Sequence, residues 1–589
     1  MQVRGSHGFG SRRQRTWSWL RYSVPLVLAC GGEARATLYE VAQRDAQAND
    51  QGPGTAGQPW KTLAAAARRV RPGDTVRIRG GVYREDFCIR ADGTKEAPIR
   101  FEAAPGEWVV VTGADLLTGW RRVALGSPVY SRAWPHRFID WNEQMTHPDD
   151  EYHRVIGRCE QVVVNGYLLR QVLSDEQMAP GTFLADPGRR KLLLWDSSGG
   201  DPNQAVVEGA VRQEICRVEG DYIQLRGLRF RYAANRAQNG AVRFTGAFGI
   251  LEDCVVEGMN ASGASFGGED LLVRRCVFRD NGQEGFDACR AHRLRFTGCL
   301  VENNNTKNFE RDWEAGGNKL ALCRDVILEQ SRFVRNRGNG IWFDIGNTNS
   351  TVRQCLIAEN EGAGIFYEIS YGLHAEDNVI IGNGFADRAS AWGGQAAISL
   401  SSSPDCVIER NLLIGNREGI AFREQTRTTA TIESDRERPV WNHDEAIRNN
   451  LIAFNRDAQV RGWFDVDDQR HWPGKAVADG RPSIESGQPA ALTLEQLHLR
   501  FADNVYWAAA EQGWFQWGPP WARHEQYASL AEFRAGLGLD TGGQAVEPAF
   551  ANAAALDFRL APECFAAIKH CYPQGAVPGV ILGERHGGD

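Results

Sequence analysis

Eight short phrases recur through the middle of the chain, and their spacing restricts the fold more than any other feature. They are CVVEGMN (254–260), CVFRDNG (276–282), CLVENNN (299–305), SRFVRNRG (331–338), CLIAENEG (355–362), NVIIGNG (378–384), NLLIGNRE (411–418) and NLIAFNR (450–456). Each opens on Cys, Ser or Asn, and in all but the first an Asn follows five residues later. Successive starts differ by 22, 23, 32, 24, 23, 33 and 39 residues, so one unit is about 23 residues long and three units carry insertions. A unit this short cannot bury an apolar face alone and must stack on its neighbours. Short alternating strands separated by Asn and Gly suit the tight corners of a right-handed parallel β-helix. The leucine-rich frame, which shares the period, is absent. The expected class is therefore all-β, a right-handed parallel β-helix with an inserted β-sandwich-like module.

The flanks divide the rest. Residues 1–36 read as an export signal: Arg12, Arg13, Arg15 and Arg21 precede the apolar run Tyr22 to Cys30, and Ala34-Arg35-Ala36 is a small-x-small cleavage site. Arg12-Arg13 also fits a twin-arginine signal, and Val27-Leu28-Ala29-Cys30 a lipoprotein box that would anchor the chain at Cys30. An exported protein, periplasmic or extracellular, is expected. Residues 37–117 read as an N-terminal cap and the first turns, with a helix over about Pro59 to Val70 whose stripe is Leu63, Ala64, Ala67 and Val70. Residues 118–215 lack the repeat and read as the inserted antiparallel module, with Asn165-Gly166 as a hairpin turn. Residues 216–465 form the main solenoid. Residues 466–589 close it, with a further turn at Asp503 to Trp507, a helix opened by Ser529 and a last strand at Asp557 to Pro562. No segment after the signal reaches 18 uninterrupted apolar residues, so no span of a membrane is expected in the mature chain.

Composition narrows the function. With 42% hydrophobic and 24% charged residues the chain is not broadly disordered. The net charge is −7, and without residues 1–36, which hold six Arg and one Glu, it becomes −12. That sign excludes nucleic acid and anionic membrane as expected partners. Of thirteen cysteines, Cys254, Cys276, Cys299 and Cys355 fall in one register of the repeat and read as a stacked interior row. No C-x-x-C pair or His-rich tract occurs, so no metal site is expected; Cys564 and Cys571 are the one pair suspected of bridging.

The chemistry concentrates between Gly340 and Glu368. Gly340-Ile341-Trp342-Phe343-Asp344 and Gly364-Ile365-Phe366-Tyr367-Glu368 repeat one phrase 24 residues apart, each four residues after an Asn. Adjacent turns stack at about 4.8 Å, which brings the two carboxylates to roughly 5 Å, the separation used by retaining glycosidases. Stacked like charges repel, leaving one protonated acid beside one ionised nucleophile or base. The same position continues through Cys289, Ser401 and Arg423. An insertion at 308–320 brings Trp313, Glu314 and Lys319 over or beside this line. Trp313 and Trp342 read as sugar platforms or as packing residues, and at least one aromatic of the two phrases is expected to point inward. Phe422-Arg423-Glu424 and His443-Asp444 fall on later turns that could line a further subsite, although His443 reads better as structural.

With WEAGGNK at 313–319 and the stretch Gly340 to Glu368, the chain resembles glycoside hydrolase family 120, the retaining β-xylosidases. The resemblance implies a β-helix interrupted early by a sandwich module, Asp344 as nucleophile, Glu368 as general acid/base, and Glu314 and Lys319 in contact with substrate. It implies a carbohydrate partner and no cofactor. The N-terminal signal, the flanking loops and the longer C-terminal part depart from the family, which bears on xylosyl specificity more than on reaction class. Two other readings stay open: a polysaccharide lyase or uronate epimerase, with Lys319 or Arg423 as base and Glu314, Asp344 and Glu368 as calcium ligands, and a non-catalytic carbohydrate-binding solenoid.

Overall fold

Inward-facing rows of apolar side chains hold the chain together. One row runs Phe278, Val301, Phe333, Ile357, Ile380, Leu413, Ile452, Tyr506, each paired in register with the next and none exposed. Because strand residues alternate faces, the residues on either side of each of these point outward. The computed structural model describes residues 36–138, 158–387, 394–425, 427–465, 497–518, 524–553 and 557–564. The export signal, Cys30 and Cys571 lie outside them, so the proposed anchor and the Cys564–Cys571 bridge do too.

Three sheets of 13 strands each wind up the solenoid, and successive rungs pair in parallel. The chain is thus a right-handed parallel β-helix, as its period implies. The site lies on the sheet that begins at Phe87–Ile89 and ends at Glu525–Tyr527, whose last pairing is antiparallel.

The repeated Asn residues stack at one corner. From Asn281 through Asn304, Asn336, Asn360, Asn383, Asn416 and Asn455, each side-chain amide donates to the next Oδ1 at 2.9–3.1 Å. Gln459 accepts from the last of them at 2.9 Å. These buried corners would otherwise strand backbone donors, which is why an amide that both donates and accepts recurs there. At a second corner the buried row Cys254, Cys276, Cys299, Ser331 and Cys355 passes into Asn378, Asn411, Asn450 and Asn504. Residues just before these rows, among them Arg275, Gln330, Gln354 and Asn449, adopt positive φ.

The N-terminal helix is shorter than its pattern suggested, Leu63–Ala67, capped by Thr62 whose hydroxyl accepts from the Ala65 amide. At the far end Ser529 caps Leu530–Leu537, and Phe533 stacks on Phe515 at 4.2 Å. Among the described residues no helix is long and apolar enough to cross a membrane.

The interruption holds a four-stranded and a five-stranded sheet that share one apolar cluster, including Trp120, Val162, Phe183, Leu194 and Val207. Val162–Val164 and Tyr167–Leu168 pair antiparallel across Asn165 and Gly166, whose φ of 50° and 85° suit a primed hairpin turn. Its strands are not wholly antiparallel: Arg170–Val172 and Thr182–Asp186 run parallel. Nine residues, 173–181, connect them, enough to carry the chain back to the start of a parallel neighbour, which a two-residue hairpin is not.

Candidate active site

The inward row on the site sheet places the outward residues. Phe343, Tyr367, Leu400 and Phe422 pair rung by rung and are buried in the core. Asp344 and Glu368 follow the pair Phe343–Tyr367 and therefore occupy the same position on adjacent rungs. Glu368 is then in register with Ser401, Arg423 and Trp463. One rung before Asp344, the strand Gly316–Ala321 carries Lys319 on the same face, paired with Asp287 of the rung before that. Lys319, expected over or beside this line, thus lies beside it as part of the sheet.

Lys319 is the hub. Its ammonium lies 3.0 Å from Asp344 Oδ2, 3.9 Å from Glu314 Oε2 and 2.9 Å from the Trp313 carbonyl, which accepts from it. It also sits 4.2 Å from the centre of the Trp342 ring. Burial opposes its charge, but Asp344 and Glu314, with Glu368 behind them, outweigh burial and hold the ammonium above its usual range. Asp344 Oδ1 is buried and has no hydrogen-bond partner among the described residues. An unpaired buried oxygen of this kind is costly in a folded protein.

Glu368 is held differently. Its Oε1 accepts from Arg427 at 2.9 Å and its Oε2 from the Trp342 indole at 3.2 Å. Burial first, then the neighbouring Asp344 charge, push it up to about 7 against the pull of Arg427. The side chains of Asp344 and Glu368 are 11% and 6% exposed, so both sit in a largely desolvated setting.

Other acidic groups extend the site on the Lys319 side. Glu314 ends the short helix Arg311–Glu314 and accepts from Gln238 at 2.7 Å. Asp287 accepts from Ser265 at 2.7 Å, and burial, opposed by that hydrogen bond and reinforced by Glu314, pushes it up to about 7. Glu284 is driven well above the carboxylate range, chiefly by burial.

Several expectations need correction. Trp342 is no open platform: it is 2% exposed, with Lys319 over its ring and its N–H spent on Glu368. Phe343 and Tyr367 are the inward aromatics of the two phrases, which meets the expectation of at least one, and the Tyr367 hydroxyl donates to the Tyr371 carbonyl at 2.9 Å. Trp313 packs on Ala237, Ala261, Phe309 and Ala315. Arg423 stands two rungs beyond Glu368, with its guanidinium 3.5 Å from the Trp463 ring centre. The cation on Glu368 is Arg427. It comes from a hairpin insertion that the repeat does not register, so no periodic signal identifies it; Asp287 stands two residues before the matched position, which there is Cys289, and Gln238 precedes the first of the repeated phrases. Phe422 and Glu424 are buried, and the Asn442 amide donates to Glu424 at 2.7 Å. His443 Nδ1 lies 2.7 Å from Asp444.

Two groups among the described residues have clustered ligand atoms, His374 with Glu376 and Glu409, and Asp405 with His443 and Asp444. In the first, Arg410 binds both carboxylates and Arg448 the second of them. In the second, the imidazoles of His443 and His498 already flank Asp444. Neither belongs to the Lys319 cluster.

Residues 240–396 match the family model described as a right handed beta helix region. A solved structure of XylC in complex with xylose superimposes with a TM-score of 0.62 at 19% identity, over 81% of this chain and 85% of that one. Among curated sequences, the uncharacterized protein YwoF of Bacillus subtilis is 40% identical over 68 residues, 12% of this chain and 14% of that protein. Alpha-1,3-galactosidase A of Akkermansia muciniphila is 37% identical over 73 residues, 12% of each. The chain therefore spans about one-seventh or less of the length of these two relatives.

Proposed function

We propose that this chain is an exported retaining glycoside hydrolase of the β-xylosidase type, with Asp344 as nucleophile and Glu368 as general acid/base. One observation carries the reading: two carboxyls on neighbouring rungs are held in opposite ways, Asp344 ion-paired with Lys319 and Glu368 pushed up to about 7. That is the division of labour a double displacement needs. Asp344 Oδ1 attacks the anomeric carbon while Glu368 gives its proton to the departing oxygen, leaving a glycosyl ester. Glu368 then takes a proton from water, whose oxygen displaces Asp344. The xyloside assignment rests on the family resemblance of 313–319 and 340–368, and the xylose bound in XylC accords with it.

The lyase reading is less well supported because Lys319, one of its two candidate bases, is compromised. A proton-abstracting lysine must be neutral, whereas three carboxylates hold Lys319 above its usual range. The same three carboxylates are the calcium ligands that reading invokes, and an ammonium already sits among them. Release of unsaturated uronates from a uronan would revive it. A non-catalytic binding solenoid would hold sugar with no release of reducing ends.

Asp344→Ala should lower turnover of 4-nitrophenyl β-xyloside by roughly 10⁴-fold without unfolding the protein. Azide should restore turnover and yield the glycosyl azide of opposite anomeric configuration. Full activity in Asp344→Ala would refute the assignment.

A further inference from the structure

The hairpin that delivers Arg427 leaves the solenoid and runs back against its direction. It pairs Arg427–Thr431 with Ser434–Val440 and follows the strand Glu418–Gln425, two rungs beyond Glu368. Its landing points lie on earlier rungs. Arg427 Nη1 donates to Glu368 Oε1 at 2.9 Å. The Ala430 carbonyl reaches the turn after Asp344, where a Cβ on Gly346 would lie 2.2 Å from that oxygen. Glu433, at the tip, is 3.7 Å from Arg324 on the rung of Lys319. The hairpin therefore touches in order the three rungs that supply Glu368, Asp344 and Lys319. Thr429 is 2% exposed, so the strand that carries Arg427 is packed, while residues 436–439 of the returning strand face outward. Gly346, at φ 62°, provides both the left-handed turn and the bare surface that this approach requires.

We propose that this hairpin is a strap that completes the catalytic centre, and that Arg427 is a positioning residue that lets Glu368 alternate between acid and base. This rests on the retaining-hydrolase reading above. Glu368 must protonate the leaving oxygen in the first half-reaction and accept a proton from water in the second. The groups facing it are Asp344 on the preceding rung, Lys319 one rung further back, the Trp342 indole, Ser401 and then Arg423 on the following rungs, and Arg427 on the hairpin. In the first half-reaction burial and the Asp344 charge favour the neutral carboxyl that gives the proton; in the second, Asp344 is an uncharged ester and Glu368, its proton spent, is a buried carboxylate that burial alone still disfavours. Lys319 is drawn chiefly to Asp344 and Glu314. Arg427 is the cation placed directly on a Glu368 oxygen, and it restores access to the carboxylate. General acid–base groups work best when their pKa lies near the working pH.

The test compares wild type, Arg427→Met, Arg427→Lys and Gly346→Ala on 4-nitrophenyl β-xyloside. Arg427→Met should move the alkaline limb of kcat/KM up by about one pH unit. It should also slow deglycosylation about tenfold, seen as a burst of nitrophenol, since one pH unit is a factor of ten. Arg427→Lys should keep the limb near its original position. Gly346→Ala, which pushes the strap off from a different point, should move the limb in the same direction as Arg427→Met and covers the case in which that variant does not fold. An unmoved limb in Arg427→Met, or in Gly346→Ala should Arg427→Met not fold, overturns the proposal. The Glu368 carboxyl can also be titrated by carbon-13 NMR, with Glu368→Gln giving its assignment, and no upward shift in Arg427→Met overturns the proposal independently of turnover. Failure of the hydrolase reading shows separately, as a wild type inactive on glycosides in which the carboxyl shift persists.

Discussion

Glu368 shows how a single side chain ties stability to chemistry. Its ordinary value is 4.5 and burial beside Asp344 raises it to about 7, so between those values the folded state binds more protons than the unfolded one. Stability therefore falls as pH rises from about 4.5 and levels off above about 7. The ionised form costs roughly 3 kcal/mol at high pH, given about 1.4 kcal/mol per unit. Glu368→Gln should thus melt higher than wild type at pH 8 and lose that advantage at pH 4, as measured by calorimetry across that range. Asp344 and Glu368 were legible because their phrase repeats, and alternation turns a matched position into a matched face. Arg427 was not legible: it reaches Glu368 by doubling back from a non-repeating hairpin. The burial of Trp342 was hidden for a related reason, since the Lys319 chain that covers it comes from another rung.

The Asn ladder is the element that sets the stacking register. Asn360 accepts from the Asn336 backbone and side-chain amides at 3.0 and 2.9 Å, and donates to the Phe333 carbonyl and to Asn383 at 2.9 Å each. Asn360→Ala would strand several buried groups, each costing about 1–3 kcal/mol, so a loss of roughly 3–5 kcal/mol is expected. Chemical denaturation of the variant measures it; a loss below about 1 kcal/mol would show the ladder to be ornamental. The Asn spacing was plain in the sequence, but its partners were not, because each lies one rung away along the chain. The N-terminal helix was overestimated at both ends. Its pattern runs from Pro59 to Val70, yet the helix holds only Leu63–Ala67; on the N-terminal side Trp60 is committed to the first rung by its bridge to Val41.

In the molecule as a whole, each rung is stabilised by the rung below, so the ends carry the risk. The strand Leu38–Val41 and the helix Leu63–Ala67 cover the start of the solenoid. Deleting residues 36–72 would bare the edge of Thr75–Ile78 and is expected to produce self-association, which light scattering would reveal. A monodisperse truncated chain would show that the cap is dispensable. The repeat period alone was enough to specify a stacked parallel β-helix and to align Asp344 with Glu368, because both follow from strand alternation and a constant number of residues per rung. Tertiary structure had to decide what faces those carboxyls. The contacts of Lys319 with Glu314, Asp344 and Trp342 span one rung or less, whereas Arg427 reaches Glu368 across 59 residues from a non-repeating hairpin, and spacing carries no record of such a contact.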